Sequence, residues 1–459
     1  MKHSLIGDRS FYRRAFAIAL PIIIQNGITN LVSLLDNIMV GQLDPTQMSG
    51  VSVVNQFIFI FNLCIFGANS GPGIFTAQFY GSRDHNGIRS CFRYKLILCS
   101  LISLLGLGAF TLWGDNLIAT FLQGEGTAQQ IADTKLYGRQ YLEVCLWGLP
   151  PFAIANAYAG SLRECGQTKV PMISGVIAVF VNLFFNWLLI FGNWGLPQMG
   201  VRGAALATVI SRYVELAIVM VWAHSHTQEH PFIRGAYRSF SIPAPLLRKV
   251  ILRGSPLLIN ELLWSMGITT LNQCYSTCGF DVVAASNIAS TVSNLASVVT
   301  MALGNTIGIL MGQMLGARAP EPEVRDTHRK LTALAVFMGF VFGGILAGIS
   351  GLFPRFYNVT PSIRLLSAQL ILVIAAMKPF HTFMYSGYFT LRSGGKTWVT
   401  FLYDGGFLWL CTVPLAFCLT RFTSIPILPV YILCQTPDLG KCIFGHILIK
   451  KGDWIQNIT

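Results

Sequence analysis

Apolar residues in this chain come in runs of about twenty, the length of helix that crosses a bilayer, and the runs recur from end to end. They fall near 14–40, 51–79, 95–114, 140–161, 170–191, 203–223, 250–275, 282–312, 331–353, 365–389, 397–419 and 425–449. Charged residues collect in the gaps between them. The longest gap, at about 224–249, leaves no room for a soluble domain. The pattern predicts an all-α polytopic membrane protein of twelve transmembrane helices, with the second and eighth long enough to need a tilt or a kink. The opening MKHSLIGDRSFYRRAFAIALPIII has the basic-then-apolar order of a secretory signal. It lacks a small-x-small cleavage site, and its apolar run continues too far, so it reads as a retained first span.

Composition sharpens this picture. The chain is 53% hydrophobic and 11% charged, against about a quarter charged for a soluble domain. A net charge of +13 in a soluble protein would suggest nucleic acid. Here the bases mark topology instead: 23 Lys and Arg lie in gaps or at span ends on the side of the N-terminus, 6 lie on the other side, and Arg212, Lys378 and Lys441 lie inside spans. By the positive-inside bias both termini are expected in the cytoplasm and the protein in the cell membrane. No nucleic-acid partner is expected.

The chain also resembles itself. ALPIIIQNG (19–27) aligns with GSPLLINEL (254–262), and FTAQFYGSR (75–83) with LMGQMLGAR (310–318), both at a gapless shift of 235. Pro21 then matches Pro256, and Gln78, Gly81 and Arg83 match Gln313, Gly316 and Arg318. A second echo, at a shift of 229, pairs Arg163, Gly166 and Thr168 with Arg392, Gly395 and Thr397. Two six-helix halves in the same orientation follow: an N-lobe over 1–224, an inter-lobe loop over 225–249 and a C-lobe over 250–459. Parallel repeats of this kind are a transporter's layout, with the substrate route between lobes.

Polar residues at membrane depth mark the chemistry, because an ionisable group there is expensive and by default functional. Asp36 lies in the first span. Asn182 and Asn186, four apart and so on one helix face, lie in the fifth, and Thr208 in the sixth. One carboxylate, two amides and a hydroxyl suit a small hard cation, or a proton on Asp36 with the amides as hydrogen-bond partners; helix–helix bridging is the plainer alternative for the amides and hydroxyl. In the second half Asn260 and Glu261 follow Pro256, Asp404 opens the eleventh span, and Lys378 and His381 lie three apart in the tenth. This second group reads as an ion-paired cluster or a proton relay. Arg212 and Glu215, at i,i+3, are expected to pair. His224, His226 and His230 read as chance loop histidines rather than metal ligands. No GxxxxGK[ST] is present to cradle a nucleotide, nor any HExxH or GxSxG, so ion-driven transport rather than an enzyme or an ATP-driven pump is expected.

Pro21 with Asp36-Asn37-Ile38-Met39-Val40-Gly41, the QFYGSR and QMLGAR ends, the LREC-GQT and LRSGGKT loops, NELLWSMG and ILIKKGDWIQNI together resemble the multidrug and toxic compound extrusion (MATE) transporters of bacteria. The resemblance covers nearly the whole chain. It implies two six-helix lobes that alternate access, and export of amphipathic, often cationic drugs in exchange for Na+ or H+. By position, Asp36, Asn182, Asn186 and Thr208 fall at the family's N-lobe cation site, and Glu261 at a C-lobe glutamate. His381 stands where members with a C-lobe site carry an aspartate, which argues against Na+ there. Pro21 is the expected hinge of the first helix. A monomer is expected, with no cofactor beyond Na+ as a coupling ion. The alternative is a lipid-linked oligosaccharide flippase of similar architecture. That function would require several cavity bases to neutralise pyrophosphate, and the intramembrane bases are few.

Overall fold

The computed structural model describes residues 5–41, 44–121 and 128–459, without the side chains of residues 32–34, 36–38, 45, 121 and 128. Every regular element among them is helical. The helices are α1 (Arg9–Gly41), α2 (Pro45–Gly81), α3 (His85–Phe121), α4 (Ala128–Cys145), α5 (Leu149–Glu164), α6 (Lys169–Phe191) and α7 (Val201–Ser225). They continue with α8 (Ala244–Ser276), α9 (Phe280–Gly316), α10 (Glu321–Ile349), α11 (Pro361–Ser393), α12 (Thr397–Phe401), α13 (Val413–Phe422) and α14 (Ile427–Lys451). A single 3-10 turn joins α4 to α5, and two wide π turns, Leu402–Gly406 and Leu408–Thr412, join α12 to α13. Each of those pairs forms one rod, so the fourteen helices make the twelve rods expected.

Eight described helical rods are long and apolar enough to cross a membrane: α2, α3, α6, α7, α9, α10, α11 and α12–α13. α8 and α14 fall outside this group because Asn260 and Glu261 interrupt the apolar stretch of one, and Asp438 and Lys441 that of the other. Most helices overrun the apolar runs that predicted them; α3 begins ten residues before its run and ends seven after it. Hydropathy reports only the part that meets lipid, whereas backbone hydrogen bonding carries the helix on into the headgroups. The ninth run falls short at its end, since α10 stops at Ile349 and the chain turns through Phe353–Phe356, where Pro354 cannot continue an α-helix, and the twelfth at its start, since α14 begins at Ile427 after Pro426.

The repeat is visible in the element bounds. Adding 235 to the ends of α1 and α2 gives the ends of α8 and α9, residue for residue, with Pro21 and Pro256 at the same internal position. Arg83 and Arg318, the matched residues beyond α2 and α9, both take left-handed backbone (φ 59° and 53°).

The chain divides into two compact units. One holds the chain to Ile23, Ala77–Asp84 and Val250–Thr459; the other holds Ile24–Thr76 and His85–Lys249. The division crosses α1 two residues past Pro21. In the first unit α11 is central, packed on α9, α10 and α14. A core around Ile18, Leu303, Ile307, Met311 and Trp454 ties the start of α1 to α9 and to the C-terminal tail. In the second unit α6 packs along α7, whose Ala204, Ala205 and Ala207 allow close approach. Val54, Ile118, Leu142 and Ile190 form a core there.

Two features fix the second unit's polar parts. The segment after α7 is pinned to α3: Arg89 donates to the carbonyls of Pro231 and Phe232, and Arg93 to those of Gly235, Ala236 and Ser241. On α3 the fully buried Lys95 bridges to Glu164 of α5 and donates to Ser161 Oγ at 3.2 Å. The expected Arg212–Glu215 pair forms at 3.2 Å.

Candidate functional site

Each unit holds a polar cluster among apolar helices. In the second unit, Asn182 and Asn186 lie on the buried stripe of α6 that also holds Gly175 and Ala178. Asn186 Nδ2 donates to Asn182 Oδ1 at 3.2 Å, and Asn182 Nδ2 to Thr208 Oγ1 at 3.2 Å. The Thr208 hydroxyl donates to the carbonyl of Ala204 at 3.1 Å. The structure thus joins the three residues into one chain of hydrogen bonds, with amide and hydroxyl oxygens suited to a hard cation or to a carboxyl group. Asp36 lies on α1, but its side chain is outside the described residues.

The first unit's cluster is richer in charge. Asn260 of α8, 1% exposed, donates to Asp404 Oδ2 at 3.0 Å and to Tyr388 Oη at 3.4 Å. Its Oδ1 accepts the backbone N–H of Gly405 at 2.9 Å. Asp404 and Gly405 lie in the first wide turn, and a widened turn of this sort frees backbone groups for side-chain partners. Trp409, in the second turn, is held by its Nε1 on the carbonyl of Leu263 at 2.8 Å. α8 therefore anchors both turns. On α14 the buried Lys441 reaches Asp404 Oδ1 at 3.8 Å and Asp438 Oδ1 at 3.4 Å, and His381 Nε2 lies 3.2 Å from Asp438 Oδ2. Glu261, half-buried beside Asn260, makes no side-chain hydrogen bond or ion pair among the described residues.

Asp404 and Asp438 thus share one fixed cation and one imidazole, and Glu261 lies near Arg392 and Asp404. A tethered ammonium beside two carboxylates offsets their burial. Of the four residues expected in this cluster, the structure brings together Asn260, His381 and Asp404. Lys378 stands apart. It turns to α9, where its Nζ donates to Ser297 Oγ at 3.0 Å. Positions three apart on a helix diverge by about 60°, and α11 is packed between α9 and α14, so Lys378 faces the first and His381 the second. Sequence reasoning missed Asp438 and Tyr388. The available signal for Asp438 was its i,i+3 spacing to Lys441 inside the last apolar run.

The remaining candidates resolve simply. Pro21 lies within continuous α1. His224 Nε2 lies 3.0 Å from Tyr158 Oη, and His226 stacks on Trp222 with ring centres 4.3 Å apart. His230, outside the spans, is held below the usual histidine range, chiefly by burial. The loop histidines are packing partners of aromatic rings.

Known proteins give these clusters a context. The chain is 26% identical over 442 residues to the probable multidrug resistance protein NorM of Thermotoga maritima, covering 95% of this chain and 92% of that one. It is 22% identical to the probable multidrug resistance protein YoeA of Bacillus subtilis, covering 92% and 90%. Its fold is similar to a multidrug resistance MATE family transporter of the MOP superfamily solved facing outward (TM-score 0.85, 19% identity, 98% and 97% covered). A MOP superfamily transporter from Pyrococcus furiosus, described by reversed polarity of its binding pocket, is nearly as similar (TM-score 0.83, 19% identity, 98% and 97% covered). The MatE family model matches residues 21–188 and 256–418, taking in α1 from Pro21 with Asn182 and Asn186, and α8 from Pro256 with Asn260, His381 and Asp404. Repeated halves, membrane helices and a match over most of the chain agree: this chain belongs to the MatE family of multi-pass membrane transporters, which are not enzymes.

Proposed function

We propose that the chain is a secondary active exporter that moves amphipathic, cationic compounds out of the cell by antiport with Na+ or H+ through alternating access. Relatives named as multidrug resistance proteins support the substrate class. The observation that carries the reading is the network of Asp404 and Asp438 with Lys441 and His381, buried among apolar helices, with Glu261 near Arg392 and Asp404. Carboxylates at membrane depth can exchange a fixed partner for a mobile cation or a proton, and bases inside the spans are too few to neutralise a pyrophosphate, which sets aside the flippase.

In this mechanism Asp36 completes the oxygen-rich set of Asn182, Asn186 and Thr208. An ion or proton taken up there from outside stabilises one shape of α1, with Pro21 as the bend, and lowers the affinity for drug. Glu261 exchanges its cationic partner between substrate and coupling ion. The Lys and Arg bias supports both termini in the cytoplasm. The protein acts as a monomer, with Na+ or H+ as co-substrate.

The test is ethidium transport in inverted vesicles, with the Na+ gradient and the pH gradient imposed one at a time. One of them should drive uptake, and Asp36→Asn and Glu261→Gln should each reduce gradient-driven uptake at least tenfold. Uptake that ignores both gradients, or coupling unchanged in both variants, overturns antiport.

A further inference from the structure

The C-terminal unit carries a groove that the transport reading leaves unused. It has a volume of about 660 Å³, well within the 300–1,000 Å³ usual for ligand sites. α10, α11 and α14 wall it, and the small residues Ser386, Gly387 and Gly445, with Tyr403, form its floor. A Cβ on Gly445 would come within 2.7 Å of Tyr403 Oη, so glycine there keeps the floor deep.

The groove is polarised along its length. At the end nearest the start of α10 and the finish of α14 it is lined by Arg325, Arg329 and Lys450. Farther along α10 the lining is Ala333, Val336, Phe337 and Phe340, and both phenylalanines are exposed (62% and 65%). Of the acids at the same helix ends, Glu321, Asp326 and Asp453 pair with Arg325, Lys330 and Lys451, and neither these nor Glu323 line the groove. From Arg325 to Phe340 is fifteen residues, about 22 Å of helix. That matches one bilayer leaflet with its headgroup region, roughly 20–22 Å.

We propose that this groove is a binding site for an anionic phospholipid, its phosphate among Arg325, Arg329 and Lys450 and one acyl chain along Phe337 and Phe340. Charge decides the occupant. Arg329 and Lys450, with Arg325 held on Glu321 beside them, repel the cationic amphiphiles proposed as transport substrates. They also repel the chain's own N-terminal segment, whose Leu5 borders the groove but whose next charges outward are His3 and Lys2. A phospholipid with net negative charge matches both ends. The site touches the transport machinery, since Tyr403 on its floor shares the wide turn with Asp404; a seated lipid braces that turn.

Purified full-length protein in detergent would be titrated with phosphatidylglycerol, with phosphatidylcholine of the same chains and with inorganic phosphate, and bound lipid counted by native mass spectrometry. Phosphatidylglycerol should bind at least tenfold tighter than phosphatidylcholine, and phosphate should not displace it at equal concentration. At about fivefold per cation, Arg329→Gln with Lys450→Gln should weaken phosphatidylglycerol binding about thirtyfold and leave phosphatidylcholine unchanged. Phe337→Ala with Phe340→Ala should weaken both lipids. Equal affinity for the two lipids, displacement by phosphate, or full retention of phosphatidylglycerol by both double variants overturns the proposal. Gradient-driven ethidium transport, measured separately, tests the antiport reading, and lipid binding does not depend on its outcome.

Discussion

Replacing Asn260 by leucine tests whether the wide turn of Asp404 is held from α8. Leucine keeps the branched shape of asparagine but is larger, so overpacking adds to an effect that falls mainly on hydrogen bonds. Asn260 gives one bond to a carboxylate at 3.0 Å and takes one from a backbone N–H at 2.9 Å. The first kind is worth about 1.5–3 kcal/mol and the second about 1. The weak 3.4 Å contact to Tyr388 adds little. Asn260→Leu should therefore cost about 2–4 kcal/mol, because it strands the Gly405 N–H and removes one partner of Asp404. Lys441 stays with Asp404 and Asp438, so the carboxylate is not left alone. Membrane hydrogen bonds are often weaker, near 0.6 kcal/mol by double-mutant cycles, so the cycle with Asp404→Leu is the decisive form. Reversible unfolding in mixed detergent micelles should give a coupling energy of about 1.5 kcal/mol or more between the two sites. Ethidium transport by Asn260→Leu should fall with Glu261 intact. A coupling below about 0.5 kcal/mol with normal transport would refute the claim that Asn260 positions the turn.

Three further outcomes follow from the packing. Lys95→Met leaves Glu164 without its buried ammonium and should cost about 3–5 kcal/mol in the same unfolding assay, while Lys95→Met with Glu164→Leu should recover most of the loss. Gly316→Ala places a methyl 1.8 Å from the Gln78 carbonyl oxygen, so the backbones must part; a loss of about 1–3 kcal/mol should lower the melting temperature by several degrees, and Gly81→Ala should match it. Burial, the largest influence on His230, holds its pKa down, more than Glu229 beside it raises it, and His226 nearby pushes the same way as burial. The unfolded histidine then binds its proton first, so packing of the 226–243 segment is intact above about pH 6.5 and weakens as pH falls below that. Limited proteolysis within this segment should be faster at pH 5 than at pH 7.5, and Arg93→Ala should expose it at both.

Much of the fold was legible because lipid enforces it. A backbone in hydrocarbon must form helices or a closed barrel, and runs of about twenty fit helices, so counting apolar runs located twelve rods, and the gapless repeat aligned α1 with α8 and α2 with α9. The N-terminal polar set was legible for a related reason: amides four apart on one face, Asn182 and Asn186, do join Thr208. Where the reasoning stopped is also physical. Hydropathy gives the cost of placing Lys378 or His381 in a membrane but not the direction in which each escapes it. That direction depends on which neighbours flank α11, a fact of packing. The wide turns at Asp404 were invisible for a similar reason, since they exist through bonds to Asn260 and Leu263, more than a hundred residues earlier.

The paired QFYGSR and QMLGAR ends show how a motif that suggests function can be explained by packing. A Cβ on Gly81 would lie 1.9 Å from the carbonyl oxygen of Gln313, and one on Gly316 would lie 1.8 Å from that of Gln78. At the repeat shift these are the same contact made twice with the partners exchanged, inside one compact unit. The glutamine side chains and the tail then close the crossing. Gln78 Nε2 donates to the Ser393 carbonyl at 3.0 Å, Gln78 Oε1 accepts the N–H of Ile458 at 2.9 Å, and Asn457 Nδ2 donates to the carbonyls of Leu315 and Gly316 at 3.3 Å. The crossing needs glycine for close approach, and the residue beyond it must reverse the chain, which is why Arg83 and Arg318 share a left-handed backbone. The motif therefore specifies how the ends of α2 and α9 cross, and the residues proposed for coupling lie elsewhere, in the two polar clusters.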